Sequence, residues 1–337
     1  MSAIRKKKIL IIRFSSFGDI VFALSTVPLL NKHFGADTQI DWLLRSDMKS
    51  ILQEQPHINK IFPFERHDGL IGLCRLAWRL RLENYDIIYD AHNNMRSFVV
   101  RFILGLFKRP IVVVRSKERL KRFLLFKLRK NIFDWPYKGM ESFLKPLTES
   151  LGVCGPLERM DWPNINHHEI DKEAIVLVPG TAWPMKTWPQ NYWKELINLL
   201  PAHKFIILGG PHDDFCHDIA QTAPERAKCM AGQLTLFESC EIVSQARFVI
   251  TGDTGLAQVA DLTGRPGITM IGPTAFGYPS LGMMNVAQVN LACSPCTKDG
   301  RGNCSQSVYQ QCMVDLTPEK ISMLATSMIK NLPSDNF

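Results

Sequence analysis

Residues 180–187 read GTAWPMKT, with Met185 where a nucleotide-binding P-loop carries its second glycine, followed by Lys186 and Thr187. The stretch follows the apolar run AIVLVPG and precedes a helical pattern that Pro189 can open at its first turn. Backbone N–H groups at a helix start, together with the Lys186 ammonium, make an anion site on physical grounds alone. Met185, with Trp183 and Pro184 beside it, stiffens the loop. The expectation is therefore a phosphate-facing loop that does not encircle a triphosphate, against the plainer reading of an exposed turn with a solvated lysine.

Three more polar turns follow apolar runs. RFSSFGDI sets Ser15, Ser16, Gly18 and Asp19 where a first strand gives way to a helix, so Asp19 suits either a helix cap or a general base. VITGDTGLAQVADL sets Asp253, Thr254 and Gly255 at a similar turn, and ILGGPHDDF does so for His212 and Asp213. Near the C-terminus, Cys293, Cys296, Cys304 and Cys312 are spaced C-x₂-C-x₇-C-x₇-C. A C-x₂-C pair can chelate from a tight turn and two further thiolates complete a tetrahedral set, so a structural zinc or iron is one reading. Packed free thiols and disulfides are the others.

The elements that must position these residues are parallel sheets covered by helices. Runs rich in Ile and Val alternate with helical patterns, giving strands at 8–13, 39–44, 60–64, 86–90 and 110–114, with helical stretches at 19–33 and 70–83. A Gly-, Pro-, Asn- and His-containing stretch near 151–172 reads as a linker, after which strands recur at 174–180, 204–210, 227–232, 247–253 and 267–273. The fold class is α/β: two tandem Rossmann-like domains facing a central cleft, where strand C-termini gather ligands. Expected boundaries are 1–165 and 171–315. Residues 316–337 form a C-terminal helix, with packing back on the N-terminal domain as one option. At 337 residues two domains are the ordinary outcome. No GxGxxG run occurs, which disfavours a hydride-transfer enzyme.

The net charge of +8 hides a division. Residues 1–150 hold 27 Lys/Arg and 14 Asp/Glu, whereas 151–337 hold 13 and 18. Residues 96–130 carry twelve basic residues and one acid, Glu118, interleaved with Phe, Leu and Ile. Such a stretch, with Arg115, Arg119, Lys121 and Arg122 at its centre, suits a polyanion or an anionic membrane face. An ordinary solvated helix face is the alternative. No apolar run approaches the roughly 18 residues of a membrane span. The apolar part of MSAIRKKKILIIRF is stopped by Arg13, so it reads as a strand rather than a signal peptide, which implies a cytoplasmic protein with mostly reduced cysteines.

Taken in order, the opening SSFGD with a helix containing Pro28, NYDIIYDAHNNMRS, the KTWP step, GGPH, and GDTGL followed by GITMIGPT resemble a known family. It is that of the ADP-heptose:lipopolysaccharide heptosyltransferases, glycosyltransferase family nine, with a GT-B fold. The layout resembles most the heptosyltransferase I type, which adds the first heptose to Kdo. The resemblance implies inverting, metal-independent transfer with no cofactor required. It makes Asp19 the general base, and Thr181 and Lys186 the holders of the donor diphosphate. Asp213 lies near the ribose, and Asp253, Thr254 and Gly255 grip the heptose and phosphates. Ser15 and Ser16 fall on the acceptor side. Gln258 stands where the family usually has histidine.

The implied partners are ADP-heptose, Kdo-lipid A or a heptosylated core, and the anionic inner face of the inner membrane, with no nucleic acid. A protein heptosyltransferase and a GT-B nucleotide-sugar 2-epimerase remain open, as does a binding module for anionic membranes or RNA. The absence of any Asp-x-Asp fits a metal-free mechanism in which Lys186 supplies the charge.

Overall fold

The computed structural model describes residues 6–106, 108–166, 168 and 170–333. Residues 1–5 ahead of the first strand, His167 and Glu169 of the expected linker, and 334–337 of the expected C-terminal helix lie outside the described residues. The chain divides into two compact units, Met1–Arg119 with Met140–Glu158, and Leu120–Gly139 with Arg159–Phe337.

In the first unit, β1 (Lys8–Ile12), β2 (Gln39–Arg45), β3 (Lys60–Phe64), β4 (Ile87–Asp90) and β5 (Ile111–Val114) form a parallel sheet in the order β3-β2-β1-β4-β5. All four residues of β4 and four of the five in β1 are buried, as expected for central strands covered on both faces. Six helices fall in this half of the sequence: α1 (Phe17–Leu24), α2 (Val27–Phe34), α3 (Gly69–Arg81), α4 (Met95–Gly105), α5 (Arg119–Leu128) and α6 (Gly139–Leu151). One core face gathers Leu10, Ile12 and Ile88 from the strands with Leu73, Leu80, Val100 and Leu104 from α3 and α4.

The single helix expected over 19–33 is two. Ser25 Oγ donates to Phe22 O and Thr26 Oγ to Ala23 O, closing the first helix, and Pro28 sits in the first turn of the second.

The second unit holds β6 (Ile175–Val178), β7 (Phe205–Ile207), β8 (Ala227–Cys229), β9 (Phe248–Gly252), β10 (Gly267–Met270) and β11 (Met284–Ala287), in the order β11-β10-β9-β6-β7-β8 and all parallel. Its later helices are α7 (Gln190–Leu199), α8 (Phe215–Ala220), α9 (Leu236–Gln245), α10 (Gly255–Leu262), α11 (Gln311–Val314) and α12 (Pro318–Lys330). Strand β11 has no counterpart among the expected strands.

Two boundaries differ from expectation. Residues 120–139, expected within 1–165, belong to the second unit, because Leu125, Phe133 and Tyr137 share an apolar cluster with Ala275 and Phe276. The C-terminal segment, expected to follow a domain ending at 315, counts with the second unit: α12 packs on α7 and β10, with Ile321 and Ala325 buried in the second core.

Both sheets reverse their direction of growth once, between β1 and β4 and between β6 and β9. Ligands of doubly wound folds bind outside the strand C-termini at such switch points. The candidate residues must be sought there.

Candidate active site

In the first unit the switch point carries two carboxylates among cations: Asp90, buried at the end of β4 and paired with Arg101 Nε at 2.8 Å, and the accessible Asp19. Arg13 leaves the end of β1 nearly buried, donates Nη1–H to Ala91 O beyond β4 at 2.7 Å, and pairs Nη2 with Asp19 Oδ2 at 2.5 Å. Asp19 is the third residue of α1, and the same oxygen accepts from Ser16 Oγ (2.7 Å) and Ser16 N (3.3 Å). The aspartate thus does cap its helix, and it also faces an arginine. Its side chain keeps 34% of its surface accessible, so it can be reached from solution. Burial pushes the Asp19 carboxyl upward, but Arg13, the Ser16 hydrogen bonds and Arg115 together outweigh it and hold the group below the ordinary carboxylate value. Asp19 is therefore ionised throughout the neutral range.

Arg115, at the end of β5, is buried, with its guanidinium 3.9 Å from the Phe143 ring centroid and Nη2 donating to Ser142 Oγ at 2.8 Å. This corrects its expected place on a membrane-facing surface: the residue belongs to the Asp19 cluster. The rest of the basic stretch is divided between the units, with Leu120 onward counting with the second. There Arg119 is exposed, whereas half-buried Lys121 lies over the Phe133 ring and Arg122 lies 4.2 Å from the Phe276 ring centroid. Ser15 is half-buried and Ser16 exposed.

The sequence reading passes over His92, just after β4. Burial, then Arg13, Lys117 and Arg96, push it down to about 3 against the opposing pull of Asp19, so it is neutral at pH 7.

In the second unit the switch point is arranged around a lysine. Met185 is buried and residues Pro184–Lys186 form a short 3₁₀ turn, which is why no P-loop wrap is possible. Helix α7 starts later than expected, with Pro189 as its N-cap and not in its first turn. The turn aims Lys186 Nζ at Asp253 Oδ2, 3.2 Å away, and Thr274 Oγ1 donates to the same oxygen at 2.7 Å. The lysine and aspartate side chains retain only 13% and 14% of their surface. Thr254 caps α10 through Ala257 N–H and bonds Thr251 Oγ1 at 3.0 Å, leaving Gly255 as the first helical residue. This helix start, directly after β9, supplies the backbone donors that the sequence reading assigns to α7.

Thr181 Oγ1 lies 2.7 Å from Thr187 Oγ1, closing the loop on itself. Asp213 accepts Gly210 N–H at 2.7 Å and packs on Gly180, where an added Cβ would fall 2.4 Å from its carboxylate oxygen. All six second-unit candidates therefore gather at the ends of β6, β7 and β9. Thr274, which the sequence reading misses, could have been sought in GPT after β10 as a hydroxyl at another strand end. Gln258 is buried and donates its amide to Gly277 O at 3.0 Å, so it props the adjacent loop.

The four C-terminal cysteines lie near enough to influence one another: burial raises Cys312 to about 12, with Cys296, Cys293 and Cys304 adding to it. All are free thiols. Among the described residues no group of three or more His, Cys, Asp or Glu side chains is placed to hold a metal ion.

Two parallel Rossmann-like sheets, each with polar strand-end loops at its switch point, are the architecture of the GT-B fold. A family described as glycosyltransferase family 9 (heptosyltransferase) matches residues 73–309, and the chain belongs to that family. It is 27% identical over 297 residues to lipopolysaccharide heptosyltransferase 1 of Escherichia coli K12, covering 79% of this chain and 88% of that one. It is 24% identical over 340 residues to lipooligosaccharide heptosyltransferase 2 of Haemophilus influenzae, covering 92% and 96%. In fold it is similar to E. coli ADP-heptose LPS heptosyltransferase II, with a TM-score of 0.73 at 19% identity, over 96% of this chain and 98% of that one.

Proposed function

We propose that the chain transfers heptose from ADP-L-glycero-D-manno-heptose to the lipopolysaccharide inner core, with inversion and without a catalytic metal. The observation that carries this reading is Lys186, fixed by Asp253, itself held by Thr274, at the β6/β9 switch point of a family 9 glycosyltransferase. The names of its relatives support heptose as the sugar.

In the reaction the acceptor oxygen attacks the anomeric carbon, the bond from that carbon to the diphosphate breaks, and Asp19 takes the hydroxyl proton. Negative charge grows on the departing ADP. A lysine held in place before the reaction stabilises that charge more in the transition state than in the ground state. Thr181 and the N–H groups at the start of α10 add neutral donors, and Asp213 beside Gly180 faces the nucleoside. On the acceptor side Arg13, Arg115 and neutral His92 surround Asp19, a setting suited to the carboxylate and phosphates of Kdo-lipid A.

Peripheral contact with the inner membrane is the finer part of the proposal. Met95, Phe98 and Phe102 on α4, with Leu106 at its end, are 77%, 52%, 61% and 49% exposed along one helical stripe, next to Arg96 and Arg101. Among the described residues no helix is long and apolar enough to cross a membrane.

The test is incubation with ADP-heptose and a panel of Kdo-lipid A, heptosylated Kdo-lipid A and protein acceptors, with and without EDTA, read by mass spectrometry. Heptosylation of a lipid acceptor that survives EDTA is expected. Modification of protein alone would overturn the acceptor, free epimerised sugar released without acceptor would overturn transfer, and a strict need for added metal would overturn the metal-free mechanism.

A further inference from the structure

The loop between β11 and α11 lies directly on the lysine-bearing turn. We propose that residues 297–310 form a strap that positions Lys186 and Trp183 for the donor diphosphate, with Gly300 and Gln310 as its positioning residues. This rests on the donor role given to Lys186 above.

Gly300 is buried at φ +90°, a conformation that favours glycine. A Cβ added there would fall 2.5 Å from Lys186 Cγ, 2.8 Å from its Cδ and 3.1 Å from Trp183 Cβ. The strap backbone therefore presses on the aliphatic stem of the lysine while Nζ is held at Asp253. Gln310 works from the other side of the turn: its amide donates to Pro184 O, and lies 3.4 Å from Thr187 O. Those two carbonyls flank Met185 and Lys186. Arg301 places its guanidinium 4.9 Å from the Trp183 ring centroid and is itself paired with Asp299.

The strap is braced in turn. Thr297 Oγ1 accepts Gly300 N–H at 2.8 Å, Cys304 Sγ accepts Gln310 N–H at 3.3 Å, and Arg129 donates to Cys293 O and Pro295 O.

A lysine stem is long and rotamer-rich, and ordering it on binding costs affinity. Packing the stem before the donor arrives removes part of that cost and fixes where the charge sits. A loop that merely filled space would have no reason to contact both the stem of this lysine and the two carbonyls of its turn.

The experiment measures ADP affinity by titration calorimetry and steady-state kinetics for Gly300→Ala, Gln310→Leu and Arg301→Ala, each alone and combined with Lys186→Met. Gly300→Ala and Gln310→Leu should each weaken ADP binding by about 3- to 10-fold and raise the donor KM, with the acceptor KM unchanged. In the Lys186→Met background the same substitutions should have less than about a twofold effect, since the lysine they position is gone. Should Gly300→Ala fail to fold, Gln310→Leu and Arg301→Ala carry the test.

If Lys186→Met weakens ADP binding but the strap variants do not, the strap alone is overturned. If the strap variants cost as much in the Lys186→Met background as with the lysine present, their role is structural and the proposal falls. If Lys186→Met leaves ADP binding unchanged, the donor reading of Lys186 fails and the strap's function with it.

Discussion

The two switch points share a topology and differ in charge logic. At the β1/β4 point the one accessible carboxylate, Asp19, is held among cations, Arg13 and Arg115, with a histidine kept neutral. At the β6/β9 point one cation is held by a carboxylate, which a threonine hydroxyl in turn holds. Each site fixes a single reactive charge with partners of opposite sign or with neutral donors. The first arrangement suits accepting a proton near an anionic substrate, the second neutralising a leaving group. The fold supplies the position, and the strand-end residues choose the chemistry.

The largest effect expected from this division is at Asp19. Asp19→Asn keeps an oxygen that can accept from Ser16, so the cap persists while the base is lost. Turnover should fall about 10²–10⁴-fold with ADP affinity unchanged. Near-normal turnover in the folded variant would leave Asp19 a helix cap and nothing more.

Lys186→Ala should act on the other half. It removes the charge facing the diphosphate and leaves Asp253 unpaired, so ADP affinity should drop by roughly 10- to 100-fold. Lys186→Arg should restore only part of this, because a planar fork replaces a point charge. Adding Asp253→Asn to Lys186→Ala should recover part of the loss by removing the repulsive carboxylate. An ADP affinity that tracked Asp19 and ignored Lys186 would break the comparison outright.

How far the sequence could show this division depends on which residues act locally. Central strands such as β1, β4, β6 and β9 were legible because Ile and Val runs buried on both faces have a strong pattern. Strand β11, MNVA, was not, since it is short and only two of its four residues are buried. The polar strand ends were legible for the same reason as the strands: a turn after a buried run has few places to go. Partners from distant elements were not. Nothing local says that Arg13 spans from β1 to Ala91, that Arg115 is buried against Phe143, or that Gln310 reaches the turn at Pro184. The fold-back of residues 120–139 onto Phe276 depends likewise on aromatic contacts far apart in sequence.

A smaller effect sharpens the first site. Arg13→Met removes the strongest influence holding the Asp19 carboxyl below its ordinary value. The sign follows: the depressed group rises toward the ordinary carboxylate range, so the acidic limb of the kcat/KM profile should move to higher pH. The loss of the Ala91 O hydrogen bond should also destabilise the protein by about 1–3 kcal/mol. A pH profile that stayed in place would separate Arg13 from the base.

The smallest effect sets the two units against each other in mild acid. His92 in the first unit is pushed down to about 3 from 6.5, by burial and then by its cationic neighbours. Between those values the unfolded chain binds a proton that the folded one refuses, so stability present above pH 6.5 is lost as pH falls. Asp261 in the second unit is raised by burial to about 6 from 3.8, against the backbone N–H groups of Ser280, Leu281 and Gly282. There the folded state takes the proton first, so stability is full below 3.8 and is lost as pH rises through 6. The depressed Asp19 adds nothing in this window, because its contribution fades only below the ordinary carboxylate value of 3.8. Through these two groups, lowering pH from about 6.5 to about 4.5 should weaken the first unit and strengthen the second, each by at most about 1.4 kcal/mol per pH unit, with the raised Asp41 and the lowered His203 opposing them in their respective units. Hydrogen exchange corrected for intrinsic rates and resolved by segment measures this. His92→Asn should flatten the first slope and Asp261→Asn the second. Parallel slopes in both units, indifferent to these substitutions, would show that His92 and Asp261 do not set the acid response of their units.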